Sequence, residues 1–192
     1  MTGASRETTG TLLPVSPRVA LGRRVAGVAL GTLAVAAAAQ VAVPVPLSPV
    51  PMTLQPLAVL AVGGLLGSAG GVAALAAYLA LGASGLPVFA GGSAGAVHLL
   101  GPTGGYLLAF PVAAGVTGAL ASRGGVLRTL LACALGMVLI HLGGVAQLAI
   151  LGGNPSAAFQ VGFVPFFTGD LIKVGLAAAV VLGLRPRTLR VN

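Results

Sequence analysis

The chain of 192 residues is 57% hydrophobic and only 6% charged, with a mean hydropathy of +1.07. A soluble domain carries roughly 25% charged residues to keep its surface solvated, so the composition excludes that class and leaves an integral membrane protein. The net charge of +8 does not point to nucleic acid, because with no Trp and two Tyr the basic residues have no interleaved aromatic surface.

Residues 1–18 mix Ser, Thr, Gly and Pro and predict a disordered cytoplasmic tail, ahead of one transmembrane domain over 19–192. Arg23-Arg24, an apolar run and Ala36 to Ala39 together have the outline of a cleaved export signal. Everything downstream is also membrane-embedded, so the segment reads as an uncleaved first span from about Val25 to Val43. The connection PVPLSPVP cannot be helical. A second span is expected from about Leu54 to the small-residue cluster 67–71, and a third from about Val72 to Ser84. A Gly-rich connection over 85–105 leads to a fourth span that starts near Tyr106 and ends before Ser122. The fifth runs from about Val126 to Leu151, and a sixth follows from about Thr168 to Leu184. The expected fold is therefore an all-α bundle of six transmembrane helices, inserted as a multi-pass protein of the plasma membrane.

Charge tests that count. Nine of the ten basic residues are Arg, grouped as Arg6 to Arg24, Arg123 and Arg128, and Arg185 to Arg190. With six spans, all nine fall on the side of the amino terminus, while the connections 44–53, 85–105 and 152–167 hold no Lys or Arg. By the positive-inside rule both termini are cytoplasmic. In the first span, Gly27, Gly31, Ala34 and Ala38 recur at helical spacing and suit a close contact with another helix or subunit.

Two charged side chains remain unexplained by topology, Asp170 and Lys173 in the first turns of the last span. Each costs roughly 2.5–3.5 kcal/mol at the centre of a span, and ionisable residues inside a membrane mark function by default. At i and i+3 they share a helix face and can pair; a structural ion pair at the helix N-terminus is the bland reading, a ligand clamp the sharper one. The Gly101-Pro-Thr-Gly-Gly-Tyr106 segment, with Gly104 and Gly105, leads into the N-terminus of the fourth span, where free backbone N–H groups could receive an anionic group. Tyr106 offers a ring wall and a hydroxyl, and Gln55 an amide at similar depth. His98 stands in a loop without a partnering acid or thiol, and for His141, inside the fifth span, a hydrogen bond between helices is the default. Two histidines are too few for an expected metal site. Cys133 reads as a small packing residue, and with Glu7 and Asp170 as the only acids, carboxylate catalysis and an acidic proton relay are both excluded. No nucleotide-binding or nucleophile–base motif occurs, so the chain reads as no enzyme.

Four strings, in order, carry a resemblance: Ser48-Pro-Val-Pro-Met-Thr-Leu-Gln55, Gly85-Leu-Pro-Val-Phe-Ala-Gly-Gly92, Gly101-Pro-Thr-Gly-Gly-Tyr106 and Gly169-Asp-Leu-Ile-Lys173. Together they resemble the BioY family, the biotin-specific substrate-binding (S) components of energy-coupling factor (ECF) transporters. The resemblance implies a membrane subunit that captures biotin from outside and works with a transmembrane coupling (T) protein and two cytoplasmic ATPases, with no cofactor of its own. It also gives the Ala34/Ala38 face a role in docking the coupling protein. Asp170 would then accept the ureido N–H groups, and Lys173 would hold the ureido carbonyl or the ligand's carboxylate. Phe89, Phe166 and Phe167 would wall the thioether ring and the valeryl chain. Thr168 and Ala109 depart from the family pattern, which has Pro and often Gly there, and the external connections hold no Arg for the ligand carboxylate. The alternatives are an S component for another small vitamin and a secondary transporter acting alone.

Overall fold

A computed structural model describes residues 17–185; the expected tail and the last Arg cluster beyond Arg185 lie outside the described residues. The chain is mostly helical. In order come α1 (Pro17–Gln40), the short strands β1 (Ala42–Val43) and β2 (Met52–Thr53), α2 (Gln55–Ala83), α3 (Val97–Leu100), α4 (Gly104–Ala121), α5 (Val126–Gly152), α6 (Pro155–Gly162) and α7 (Phe167–Leu184). Among the described residues five of these, α1, α2, α4, α5 and α7, are long and apolar enough to cross a membrane.

The expected second and third spans are both contained in α2, and its geometry differs from a straight rod. Gln55 Nε2 donates to Tyr78 Oη at 2.7 Å, although 23 residues of straight helix would separate them by about 35 Å. The reversal sits at Gly67, with φ 74° and ψ 179° inside otherwise helical backbone. That region is open essentially to glycine alone. The two halves of α2 then lie side by side, so close that a Cβ on Gly71 would come within 3.0 Å of the Gly63 Cα. A single glycine makes the turn for which the sequence suggested five residues, because small residues on both sides let the backbones touch.

The folded α2 is the hub, packed against α1, α4, α5 and α7. Glycines set its spacing. Gly63 and Gly71 lie against the backbone of Ala114 in α4, and Gly118 of α4 lies against the Gly67 turn. In α1, Gly27 and Gly31 pack on Leu66, Val62 and Ala74, while Ala34 is exposed and Val35 and Ala39 are buried. Leu21, Val25, Leu30 and Leu33 leave an apolar face of α1 uncovered.

Where the sequence suggested plain connections, the structure holds short ordered elements. β1 and β2 pair antiparallel, Ala42 with Thr53 and Val43 with Met52, and fold the proline-rich segment into a strap. Leu47 at its tip is 95% exposed. After α5 stops at the left-handed Gly153, Asn154 caps α6 by accepting from the Ala157 N–H at 3.0 Å. At the opposite end of the bundle, Arg185 donates to the carbonyls of Ala121 and, at 3.1 Å, Gly64, which joins the ends of α7, α4 and the first half of α2. The described arginines all lie at that end, near the Gly67 turn, in the first turns of α1 or around the α4–α5 connection.

Candidate functional site

A cavity of about 320 Å³ opens at the strap end. Every connection at that end contributes to it: Val50, Pro51 and Thr53 from the strap, Phe89, Ala90, Ser93 and His98 from the segment after α2, Thr103 before α4, and Phe166 between α6 and α7. The helices supply Gln55, Tyr106, Phe110, Ile140, His141, Asp170 and Lys173. Most of this lining is apolar, as small-molecule sites generally are, with a few placed polar groups.

The strongest of those groups converge on Asp170. Its Oδ1 accepts from Lys173 Nζ at 2.8 Å, one turn along α7, and its Oδ2 accepts from His141 Nε2 of α5 at 2.6 Å. The three residues are 5%, 6% and 8% exposed. A carboxylate in so dry a place survives because both oxygens receive a donor, and the N-terminal end of α7 adds its dipole. Because the carboxylate can only accept, Nε2 carries the proton in this pair. Lys173 keeps further N–H donors and Asp170 further lone pairs for a ligand. Aromatic rings set the imidazole in place: Phe163 at 5.0 Å, Tyr106 at 6.0 Å and Phe166 at 6.3 Å.

A second polar group secures the opposite wall. Gln55 Nε2 donates to Tyr78 Oη, which donates to the Val88 carbonyl at 3.0 Å, while Thr53 Oγ1 donates to Gln55 Oε1 at 3.1 Å. Strap, both halves of α2 and the following segment are thereby tied together. Phe89 stands edge-on to Tyr78 at 5.6 Å and to His98 at 6.0 Å.

Of the residues singled out in the sequence, Asp170, Lys173, Tyr106, Gln55 and Phe89 are brought to this one cavity. Tyr106 lends its ring to the wall, while its hydroxyl donates to the Gly162 carbonyl at 2.6 Å and so holds α6. Gly104 and Gly105 are elsewhere. Gly104 N–H is donated to the Gly101 carbonyl, and a Cβ on Gly105 would come within 2.7 Å of Gln147 Cβ, so both serve the close packing of α4 on its neighbours. Phe167 is half exposed and off the cavity, because it lies on the outer side of α7 from Phe166. His141 does make the expected interhelical bond, but its partner is Asp170, which makes it part of the site. Sequence reasoning also passed over Gln147, whose Nε2 donates to Leu99 O at 3.1 Å and Gly101 O at 2.6 Å and pins the loop above the cavity. A lone amide in a long apolar helix was the available signal.

The family model described as "BioY family" matches residues 11–190. The chain belongs to the BioY family. Its relatives in that family include the "Biotin transporter BioY" of Thermotoga maritima, 44% identical over 142 residues that cover 73% of this chain and 84% of the relative. The "Probable biotin transporter BioY" of Pyrococcus horikoshii is 39% identical over 166 residues, 86% of this chain and 98% of the relative. In fold, the chain is similar to a crystal structure of the S-component for biotin from an ECF-type ABC transporter, with a TM-score of 0.82 and 27% identity over 89% of this chain and 94% of that one. These BioY relatives are named as transporters, and this chain is likewise a multi-pass membrane protein rather than an enzyme.

Proposed function

We propose that this chain is the biotin-binding subunit of an ECF-type uptake transporter in the plasma membrane. The observation that carries the reading is the buried Asp170–Lys173–His141 cluster in a mostly apolar cavity of ligand size. Biotin's ureido ring presents two N–H donors and one carbonyl acceptor. Asp170 matches the donors and Lys173 the acceptor, and charge-assisted hydrogen bonds of this kind are the strong ones. The thioether ring and aliphatic chain are matched by Phe89, Phe110, Ile140 and Phe166. No cofactor takes part; biotin is cargo.

The same reading takes the folded α2 as two crossings, giving six spans with both termini cytoplasmic and one domain from 19 to 192. Its support is the arginine-rich end, which by the positive-inside rule faces the cytoplasm and leaves the cavity open to the outside. Energy would come from partners: a T protein docked on the uncovered apolar face of α1 around Ala34, and two ATPases below it. Equilibrium binding of biotin to the purified protein in detergent tests the reading. Saturable binding in the micromolar range or tighter is expected, and its absence would sink the proposal.

A further inference from the structure

If the ureido ring sits at Asp170, the ligand's carboxylate must be met at another part of the cavity, and this step rests on the biotin reading above. Among the described residues that line the cavity, the side chains able to carry positive charge are Lys173, His141 and His98. Lys173 is paired with Asp170, and its remaining donors are already assigned to the ureido carbonyl. His141 gives its Nε2 proton to the same carboxylate, which leaves Nδ1, buried and without a partner among the described residues, as a lone-pair acceptor that cannot donate to an anion. His98 is different. Its one ring contact among the described residues is the edge of Phe89 at 6.0 Å, and neither ring nitrogen has a hydrogen-bond partner among them. Thr103, also on the lining, has a hydroxyl equally without a partner.

His98 is nevertheless held in place. Gln147 grips the carbonyls of Leu99 and Gly101 just after it, and the Phe89 it touches is braced by Tyr78 and by a backbone bond to Ser93 at 3.0 Å. The aromatic contacts around the cavity form two groups, Tyr78, Phe89 and His98 in one, and Tyr106, His141, Phe163 and Phe166 in the other. An uncommitted imidazole on the lining therefore belongs to a different ring group from the one around Asp170. Imidazole presents at least one N–H in either charge state, and two when protonated.

We propose that His98, assisted by the Thr103 hydroxyl, is the subsite for the ligand's carboxylate, so that the chain selects an anionic ligand over its neutral amide. Calorimetric titration of the purified protein with biotin and with biotin primary amide tests this. The wild-type protein is expected to prefer biotin by about tenfold or more, the size of one hydrogen bond to a charged group. His98→Phe keeps a ring against Phe89 but removes the donors; its biotin affinity should fall to that of the amide, with amide affinity retained as the check on folding. His98→Lys should restore the preference. Equal affinity of the wild type for both ligands, an unchanged preference in His98→Phe, or an equal loss for both ligands would each overturn the subsite. Failure of the wild type to bind either ligand would instead bring down the biotin reading on which it rests.

Discussion

At the arginine end of the bundle the helices meet through backbone: Gly63, Gly71 and Gly118 bring α2 and α4 together, and Arg185 closes the corner on two carbonyls. At the strap end, packing between the long helices gives way to side chains from short elements, and Asp170, Lys173 and His141 form a buried polar cluster between α5 and α7. The first construction spends small residues to remove space, and the second spends polar and aromatic ones to keep it. A rigid base beneath a lined cavity follows from that division, since glycine contacts leave no room for repacking. Replacing a buried ionic cluster by packed apolar residues is often neutral or stabilising, so fold stability alone does not account for the Asp170 cluster.

The sharpest way to break the comparison is Asp170→Asn. It leaves Lys173 and His141 around a neutral amide and removes the charge that the ureido N–H groups would meet. Biotin affinity should fall by about 1.5–3 kcal/mol in calorimetry, the range for hydrogen bonds to a charged group; an unchanged affinity would take Asp170 out of the site. Gly67→Ala acts at the other end. Space is open there, so the cost is backbone strain of about 1–3 kcal/mol, seen as a lower melting temperature in detergent while the surviving folded protein binds biotin normally. Equal damage to binding and stability would show that the two ends are not separable. Tyr78→Phe should have the smallest effect on binding, with about 0.5–1.5 kcal/mol of stability lost for each of the two hydrogen bonds its hydroxyl makes. It should loosen the wall that carries Phe89 and raise the biotin off-rate more than it lowers the melting temperature, as read by stopped-flow release.

Much of the bundle was legible in the sequence because its boundaries carry strong punctuation. Gly125 and Gly153 bracket α5, Pro44 follows α1, and the starts and ends of α4 and α7 fall within two residues of expectation. The turn at Gly67 was not legible, since its sharpness depends on Gly63 and Gly71 meeting across it, a pairing no local pattern reveals. The partnership of His141 with Asp170 was hidden by depth. His141 lies 11 residues from the end of α5, about 16 Å, while Asp170 lies three residues into α7, about 5 Å. The eight residues of α6, about 12 Å of helix packed back along α5, make up the difference and lower the start of α7 to the level of His141. A segment read as a plain loop could not supply that offset. Asp170 and Lys173 stood out because charge inside a span is conspicuous, whereas the close packing of Gly104 and Gly105 was not legible because a glycine pair looks alike whether it faces an anion or a neighbouring helix.

A structure of the protein with biotin bound tests the central claim most directly. The account predicts the ureido ring within hydrogen-bond distance of Asp170 and Lys173, between Phe89 and Phe166 and beneath the strap. A ligand seated away from Asp170, or at the arginine end of the bundle, would contradict it.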